Sequence, residues 1–209
     1  MTVAPIRTGT VPYIAPWSGE AASAASVTGT AAGGVAFVFE SPQDRDSFGV
    51  LWNSRGDARG EGEPEYANVH PQRQREVMQE LLCQVCGGRA DQDDRGALWL
   101  LEDNRADWHG WPNDLLTTHP PVCLPCAGQA ARGCPHLRRG SVAVRVGSSE
   151  VCAVYGRRYA LVGRRLIRGD YDVVSYTSPN VRWVVAGQLV RSLADCTIVD
   201  LQAELGGRT

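Results

Sequence analysis

Apolar and polar residues alternate along much of the chain after residue 140, with the two-residue period expected of half-buried β-strands. The alternation falls into segments separated by Gly-Ser, Gly-Asp and Ser-Pro-Asn, which are typical turn residues. These segments are SVAVRV, VCAVYG, YALVGRRLI, DVVSYT and VRWVVAG. The pattern predicts an antiparallel β-meander or a small barrel at the C-terminal end of the chain.

Two short apolar runs and one amphipathic segment precede this region. Residues 35–40 (VAFVFE) and 48–53 (FGVLWN) are rich in β-branched and aromatic side chains, which favours an antiparallel pair of strands. In HPQRQREVMQELLC, Pro71 suits a first helical turn and the apolar residues recur at helical spacing. The sequence therefore predicts a strand pair followed by a helix that ends at Cys83.

The N-terminal segment is poor in side chains that a core would bury. Ala, Ser, Thr and Gly dominate residues 8–34, a composition typical of loops or disordered segments. Tyr13 and Trp17 are the exceptions, and two aromatic residues so close together suggest an arm that docks on the rest of the protein. We therefore predict a flexible arm with one docking point.

Composition and charge narrow the range of functions. All 21 basic residues other than histidine are arginine, which excludes chemistry that needs a lysine Schiff base or a P-loop lysine. The net charge of −2 is unevenly distributed, because residues 1–126 carry a net −8 and residues 127–209 a net +6. The basic C-terminal part is expected to meet a polyanion or the acidic N-terminal part.

The sequence shows no sign of membrane insertion or export. No apolar run approaches the length of about 18 residues that marks a membrane span, and the first 20 residues do not have the order of an export signal. We expect a soluble, cytoplasmic protein that makes no contact with a membrane.

Five of the seven cysteines lie between Cys83 and Cys134. Cys83 and Cys86 form one C-x-x-C pair, and Cys123 and Cys126 form a second. Each pair can turn tightly and direct two thiolates at one cation, so two pairs complete a tetrahedral shell. The spacing predicts a structural Zn²⁺ site with these four ligands.

Other uses of the cysteines remain open. Disulfides are disfavoured in a reducing cytosol, a redox role is conceivable for CLPC, and an iron–sulfur cluster also uses four thiolates. Cys134 and His136, alone or with His109 or His119, are candidates for a second ion. Cys134 is otherwise a small apolar residue and His136 a turn residue.

The surroundings of the two pairs extend the prediction to a local fold. The first pair follows a helix and precedes a turn and a predicted strand, Ala97 to Glu102 (ALWLLE), whereas the second opens the small-residue run AGQAARG, a possible short helix. Over residues 81–132 this order resembles a treble-clef zinc finger. The resemblance implies a bound metal and a knuckle, hairpin and helix around it.

A treble clef is also the frame of HNH nucleases. His109-Gly-Trp-Pro112 is similar to the His-x-x-Pro fragment of their motif, and Asn113 and His119 follow it. This similarity implies a metal-dependent nuclease as the alternative function, with His109 as the base.

Paired arginines mark the C-terminal region. The candidate nucleic-acid-binding residues are Arg138, Arg139, Arg157, Arg158, Arg164, Arg165 and Arg168. Guanidinium groups bind phosphate in a bidentate manner, and interleaved tyrosines and Trp183 offer faces on which bases stack. Arginines on a solvated face and aromatics in the core are the alternative interpretation, as is a protein interface.

Together these patterns predict a β-rich α+β protein with a treble-clef-like zinc module between an N-terminal strand pair and a C-terminal antiparallel β-meander or small barrel. The predicted parts are a flexible arm over 1–34, the strand pair, helix and zinc module over 35–139, and a basic β domain over 140–209. The predicted function is a zinc-stabilised, non-catalytic binding module for nucleic acid, with a protein-binding adaptor as a further alternative.

Overall fold

The computed structural model describes residues 11–134, 137 and 140–207. The strands are β1 (Val27–Gly29), β2 (Val35–Phe37), β3 (Leu51–Trp52), β4 (Gln92–Asp93), β5 (Gly96–Glu102), β6 (Leu116–Thr117), β7 (Ser141–Val162), β8 (Arg165–Ser175) and β9 (Val184–Val199). The helices are α1 (Pro71–Gln79), α2 (Leu124–Gly133), α3 (Leu201–Gly206) and the short 3₁₀ helices Pro42–Asp44 and Pro179–Trp183. The protein is therefore α+β and rich in strands, as predicted.

Strands β3 to β9 form one seven-stranded sheet. The chain divides into two compact units, of which the first comprises the described parts of Met1–Ile14, Glu76–Glu150 and Arg191–Thr209, and the second comprises Ala15–Arg75 and Val151–Val190. The boundaries predicted from composition, at residues 34/35 and 139/140, stay a prediction. Within the described ranges, no helix has the length and apolar composition of a membrane-spanning segment.

The first unit is built around β5, which is buried on both faces. β5 pairs antiparallel with β4 and with the first residues of β7. Leu98 and Leu100 pack into one core cluster with Cys83 and Cys126. Ala97, Trp99 and Leu101 pack into another on the opposite face. The double burial explains why ALWLLE reads as a continuous apolar run, because strand residues alternate between faces.

Within the first unit, a buried arginine of β7 connects α3 to the segment before β4. Arg145 is fully buried on β7, and its guanidinium lies 2.7 Å from Asp91 and also bonds Glu204 of α3. Arg95 reaches the same Glu204 carboxylate at 2.7 Å. These interactions compensate a charge that would be costly to bury alone.

The second unit combines the β1–β2 hairpin, β3 and the adjoining parts of β7, β8 and β9. β3 pairs in parallel with β9 through Leu51↔Val185 and Trp52↔Ala186. Val35, Phe37, Leu51 and Val185 form the core, with Tyr159 and others packed against it. The side chain of Gln74 acts as a further strand partner, because its amide bonds both the N–H and the carbonyl of Leu189 at 2.8 and 3.0 Å.

The predicted pairing of residues 35–40 with 48–53 is wrong. β2 pairs antiparallel with β1, and β3 pairs in parallel with β9. The sequence pattern did not reveal β1, because a three-residue strand inside a run of small residues carries almost no periodicity. The predicted helix is confirmed as α1, in which Val77 and Met78 are buried. Its predicted end at Cys83 is wrong, because α1 ends at Gln79 and Leu81 has a left-handed φ of 51°.

A buried ion pair fastens α1 to the N-terminal segment of the second unit. Glu20 is fully buried and accepts hydrogen bonds from the guanidinium of Arg73 at 2.5 and 2.8 Å and from the backbone N–H of Trp17 at 2.8 Å. The bonds from Arg73 hold the pKa of Glu20 at about 2, despite a burial effect that raises it. Burial and the nearby charge of Arg73 lower the pKa of His70, which lies beside them.

This cluster predicts an acid-sensitive fold. The folded pKa values of Glu20 and His70 lie below their unfolded values of 4.5 and 6.5. Their contribution to stability is therefore complete above about pH 6.5 and declines as the pH falls towards 2. Glu20→Gln should lower the free energy of unfolding at pH 7 by about 3 kcal/mol and flatten its dependence on pH below 5.

Denaturant unfolding between pH 3 and 8 measures both effects. Glu40→Gln is the matched control, because Glu40 forms a partly exposed ion pair with Arg45 in the same unit and should change stability by at most about 1 kcal/mol. Equal effects of the two substitutions would contradict the role assigned to Glu20.

Candidate metal centre

The first cysteine pair lies on a tight loop that follows α1. Leu81 has a φ of 51°, a left-handed conformation that ends helices, and it turns the chain into the loop. The Cys83 N–H donates to the Gly88 carbonyl at 2.7 Å, and the Gly87 N–H donates to the Cys83 carbonyl at 2.8 Å. Gly87 has a φ of 75°, so the glycine after Cys86 supplies the positive φ that this turn requires.

The second pair lies at the beginning of α2. Cys123 is the N-cap residue, Cys126 lies in the first turn, and a proline occupies the intervening start of the helix. The Ala127 N–H donates to the Cys123 carbonyl at 2.9 Å, which closes the first turn. Both sulfurs thus lie at a helix N-terminus, where the helix dipole favours negative charge.

The four sulfurs converge on one point. The Sγ atoms of Cys83, Cys86, Cys123 and Cys126 all lie within 4.8 Å of one another, and those of Cys86 and Cys123 are 3.8 Å apart. A tetrahedral ion with metal–sulfur bonds of about 2.3 Å separates its ligand sulfurs by about 3.8 Å. The predicted convergence of the four cysteines is therefore confirmed. All four are free cysteines, and no disulfide links them.

Backbone hydrogen bonds bring the two pairs together. Gln84, between Cys83 and Cys86, donates its N–H to the Pro121 carbonyl at 3.0 Å. Val122 donates its N–H to the Leu98 carbonyl at 2.9 Å, so the segment before Cys123 is also fixed against β5. The ligand geometry is therefore built into the fold of the first unit.

The surroundings of Cys123 and Cys126 oppose the ionisation of their thiols. Burial raises the pKa of Cys123 to about 11, and burial together with the neighbouring thiols raises the pKa of Cys126 further. At Cys86 the effect of burial is outweighed by the Gly88 N–H and the other thiols, and the pKa is lowered. A divalent cation at the centre of the cluster would supply the positive charge that converging thiolates need.

The N-terminal segment packs on the first cysteine loop, an interaction that the cysteine motifs alone do not predict. Tyr13 and Ile14 donate their N–H groups to the carbonyls of Val85 and Gln84 at 2.9 and 3.3 Å. The Tyr13 ring lies so close to Gly87 that a Cβ atom there would be 2.9 Å from the ring. The aromatic residues of VPYIAPW were the sequence signal for this docking.

The remaining metal-site candidates do not join the cluster. Within residues 11–134, 137 and 140–207, the four cysteines are the only group of three or more His, Cys, Asp or Glu side chains placed to hold a metal. Cys134 is the C-cap residue of α2, and His109 is exposed. The backbone N–H of His119 donates to the hydroxyl of Thr117. His136 lies outside the described residues, so a second ion stays a prediction.

Most of the predicted nucleic-acid-binding arginines share one β-hairpin. They are Arg157 and Arg158 of β7, Arg164 of the turn, and Arg165 and Arg168 of β8. Arg138 and Arg139 lie outside the described residues. We call residues 157–168 the arginine hairpin.

The arginines of this hairpin differ in their surroundings. Arg157 donates to the Gly169 carbonyl at 3.0 Å and lies over the Tyr171 ring at 4.0 Å. Arg158 pairs with Asp172 at 3.0 Å, and both side chains are about half exposed. Three others are exposed and have no acidic partner in the described part of the chain, namely Arg164, Arg165 and Arg168.

Comparisons of the chain with protein-family models, with curated proteins and with solved structures find no match. The geometry of the site therefore carries the functional interpretation. Four cysteine sulfurs within metal-binding distance are consistent with a four-cysteine zinc site.

The convergence of the thiols predicts one bound metal ion per chain. Cys126→Ser should remove this ion, because three remaining thiolates leave the shell incomplete, whereas Cys196→Ser should retain it, because Cys196 lies outside the cluster. Elemental analysis of the purified proteins gives the metal content.

Titration of the wild-type chain with Co²⁺ covers the case in which Cys126→Ser does not fold. Thiolate ligation should produce an intense sulfur-to-cobalt absorption band, and a chelator should lower Tm, since metal binding contributes on the order of 10 kcal/mol to folding. A chelator-resistant Tm together with no cobalt band would refute the site.

Proposed function

We propose that this protein is a zinc-stabilised, non-catalytic binding module that contacts nucleic acid through the arginine hairpin. Cys83, Cys86, Cys123 and Cys126 hold Zn²⁺. Four cysteine ligands fill the tetrahedral shell and leave no position for substrate or water, so the ion has a structural role. The module is treble-clef-like, with the first pair on a loop, the β4–β5 hairpin after it, and the second pair on α2.

The observation that supports nucleic acid is the charge of three exposed arginines of the hairpin, Arg164, Arg165 and Arg168, which have no acidic partner in the described chain. Residues 151–169 contain five arginines and no Asp or Glu. Elsewhere in the described chain, arginines commonly bind carboxylates, as Arg45 does with Glu40 and Arg105 with Asp103. Exposed guanidinium groups without an acidic partner are available to phosphate oxygens, which they bind with charge-assisted hydrogen bonds.

Two further arginines of the basic C-terminal part belong to the proposed site. Arg138 and Arg139 stay in the proposed site as predicted, on the strength of their charge and their place before β7. Nucleic-acid binding is thus proposed for residues 140–209 together with Arg138 and Arg139 just before them, and metal binding for the four cysteines earlier in the chain.

A protein-binding adaptor is the second candidate, and a different surface supports it. Phe39 is 94% exposed, and Val38 and Phe48 are more than half exposed. Large apolar side chains exposed in this way are typical of surfaces that meet another protein. The nuclease alternative has no comparable support, since in the described residues His109 and His119 belong to no group of metal-binding side chains.

Nucleic-acid binding through this hairpin predicts a steep dependence on salt. Removal of one guanidinium that binds a phosphate of duplex DNA should reduce the slope of log K against log salt by about 0.9. Arg165→Gln should therefore weaken binding and flatten the slope, whereas Arg105→Gln should not, because Arg105 is exposed but paired with Asp103.

Fluorescence anisotropy between about 50 and 200 mM salt measures both slopes. If the two variants and the wild type show the same slope, the hairpin is not the binding surface. If Phe39→Ser abolishes capture of a protein partner while no nucleic acid binds, the adaptor function replaces the proposed one.

A further inference from the structure

We infer that the ligand of the arginine hairpin is B-form duplex DNA, and that the hairpin enters its major groove. This inference rests on the proposed function and adds to it the form of nucleic acid and the mode of binding. It draws on the shape of the hairpin, on its open face and on the state of its aromatic residues.

The hairpin ends in a regular two-stranded ribbon. The pairs Tyr159↔Arg168, Ala160↔Ile167, Leu161↔Leu166 and Val162↔Arg165 follow one another without interruption. Gly163, with a φ of 61°, and Arg164 form the turn. A two-stranded ribbon fits the major groove of B-DNA, which is about 12 Å wide, whereas the minor groove of about 6 Å is too narrow.

One face of the ribbon is supported and the other is open. Tyr159 and Leu166 pack against the core of the second unit. Because strand residues alternate between faces, Val162, Arg165 and Ile167 lie on the opposite face. Val162 is 64% and Ile167 39% exposed. The open face thus combines one guanidinium with aliphatic side chains. In a major groove, a guanidinium binds phosphate or guanine, and an aliphatic side chain contacts the methyl group of thymine.

The arginines without an acidic partner and the acidic residues occupy different parts of the hairpin. The three exposed arginines without an acidic partner in the described chain lie in the turn and in the four pairs next to it. The register shifts before Tyr159, and Asp170 and Asp172 lie beyond that shift on β8. The basic residues thus lie at the turn end of the ribbon, and the acidic residues of β8 lie farther from the turn.

Single-stranded nucleic acid is less suited to this surface. Binding of single strands relies on free aromatic faces on which bases stack. Here Tyr155 and Tyr171 stack on each other with ring centroids 5.6 Å apart, and Arg157 covers Tyr171. Tyr176 packs on Phe48 at 4.3 Å.

The two remaining aromatic candidates, Tyr159 and Trp183, pack against the core. Double-stranded RNA fits no better, because its major groove is deep and narrow.

Anisotropy measurements on the full zinc-loaded chain test the inference with three labelled probes. These are a DNA duplex of about 20 base pairs, one of its strands, and an RNA duplex of the same sequence. We expect binding to the DNA duplex to be at least about tenfold tighter than to either alternative at equal salt. Methyl green, which occupies the major groove, should compete, and netropsin, which occupies the minor groove, should not.

A pair of exposed valines provides matched variants. Val162→Glu places a negative charge on the open face and should weaken duplex binding at least about tenfold. Val38→Glu introduces the same charge at a residue that is 54% exposed in the same unit but outside the hairpin, and it should change binding less than about twofold.

The outcomes separate this inference from the proposed function. Binding that is salt-dependent but equal for all three probes overturns duplex recognition while nucleic-acid binding stands. Competition by netropsin alone overturns entry into the major groove. Binding to none of the probes overturns both. Equal reductions in affinity for Val162→Glu and Val38→Glu would show that the open face is not the binding surface.

Discussion

The convergence of four cysteine sulfurs is the constraint on which the first compact unit depends. The two pairs belong to different elements, a loop after α1 and the first turn of α2, and both lie beside the core that β5 builds. Backbone hydrogen bonds from Gln84 and Val122 position these segments, while burial disfavours ionisation of Cys123 and Cys126. The fold thus supplies the geometry, and a cation would supply the charge that makes this geometry stable.

All Lys+Arg residues of this chain are arginine. Some of these arginines are buried and paired within the fold, and others are exposed without an acidic partner in the described chain. Arg73 and Arg191 are buried, and each donates to several acceptors, as a planar guanidinium with five donors can do. Arg145 is fully buried and forms ion pairs with Asp91 and Glu204. Arg164, Arg165 and Arg168, at the end of the β7–β8 hairpin, have no acidic partner in the described chain. The proposal of the hairpin as a binding surface rests on this difference in surroundings more than on the number of arginines.

Local patterns predicted some elements well and others poorly, for identifiable reasons. α1 and β5 carry a strong period or a continuous apolar run, and both were predicted. The partner of β2 was predicted wrongly, because pairing depends on which strand lies beside it and not on the strand's own residues. The segments SVAVRV, VCAVYG and the start of YALVGRRLI proved to be one strand, β7, since glycine and serine at its centre look like a turn in sequence but continue the strand in the structure.

The sequence by itself determined the two C-x-x-C pairs that are the candidate metal ligands and the arginine content of the hairpin, because both follow from residue type and short spacing. Only the tertiary structure decided that the four sulfurs meet within 4.8 Å, that Tyr13 covers the first cysteine loop, and that the tyrosines near the arginines are already stacked or packed. Proximity between residues far apart in the chain has no signature in a local pattern. It arises when strands and helices fold together to bury apolar surface.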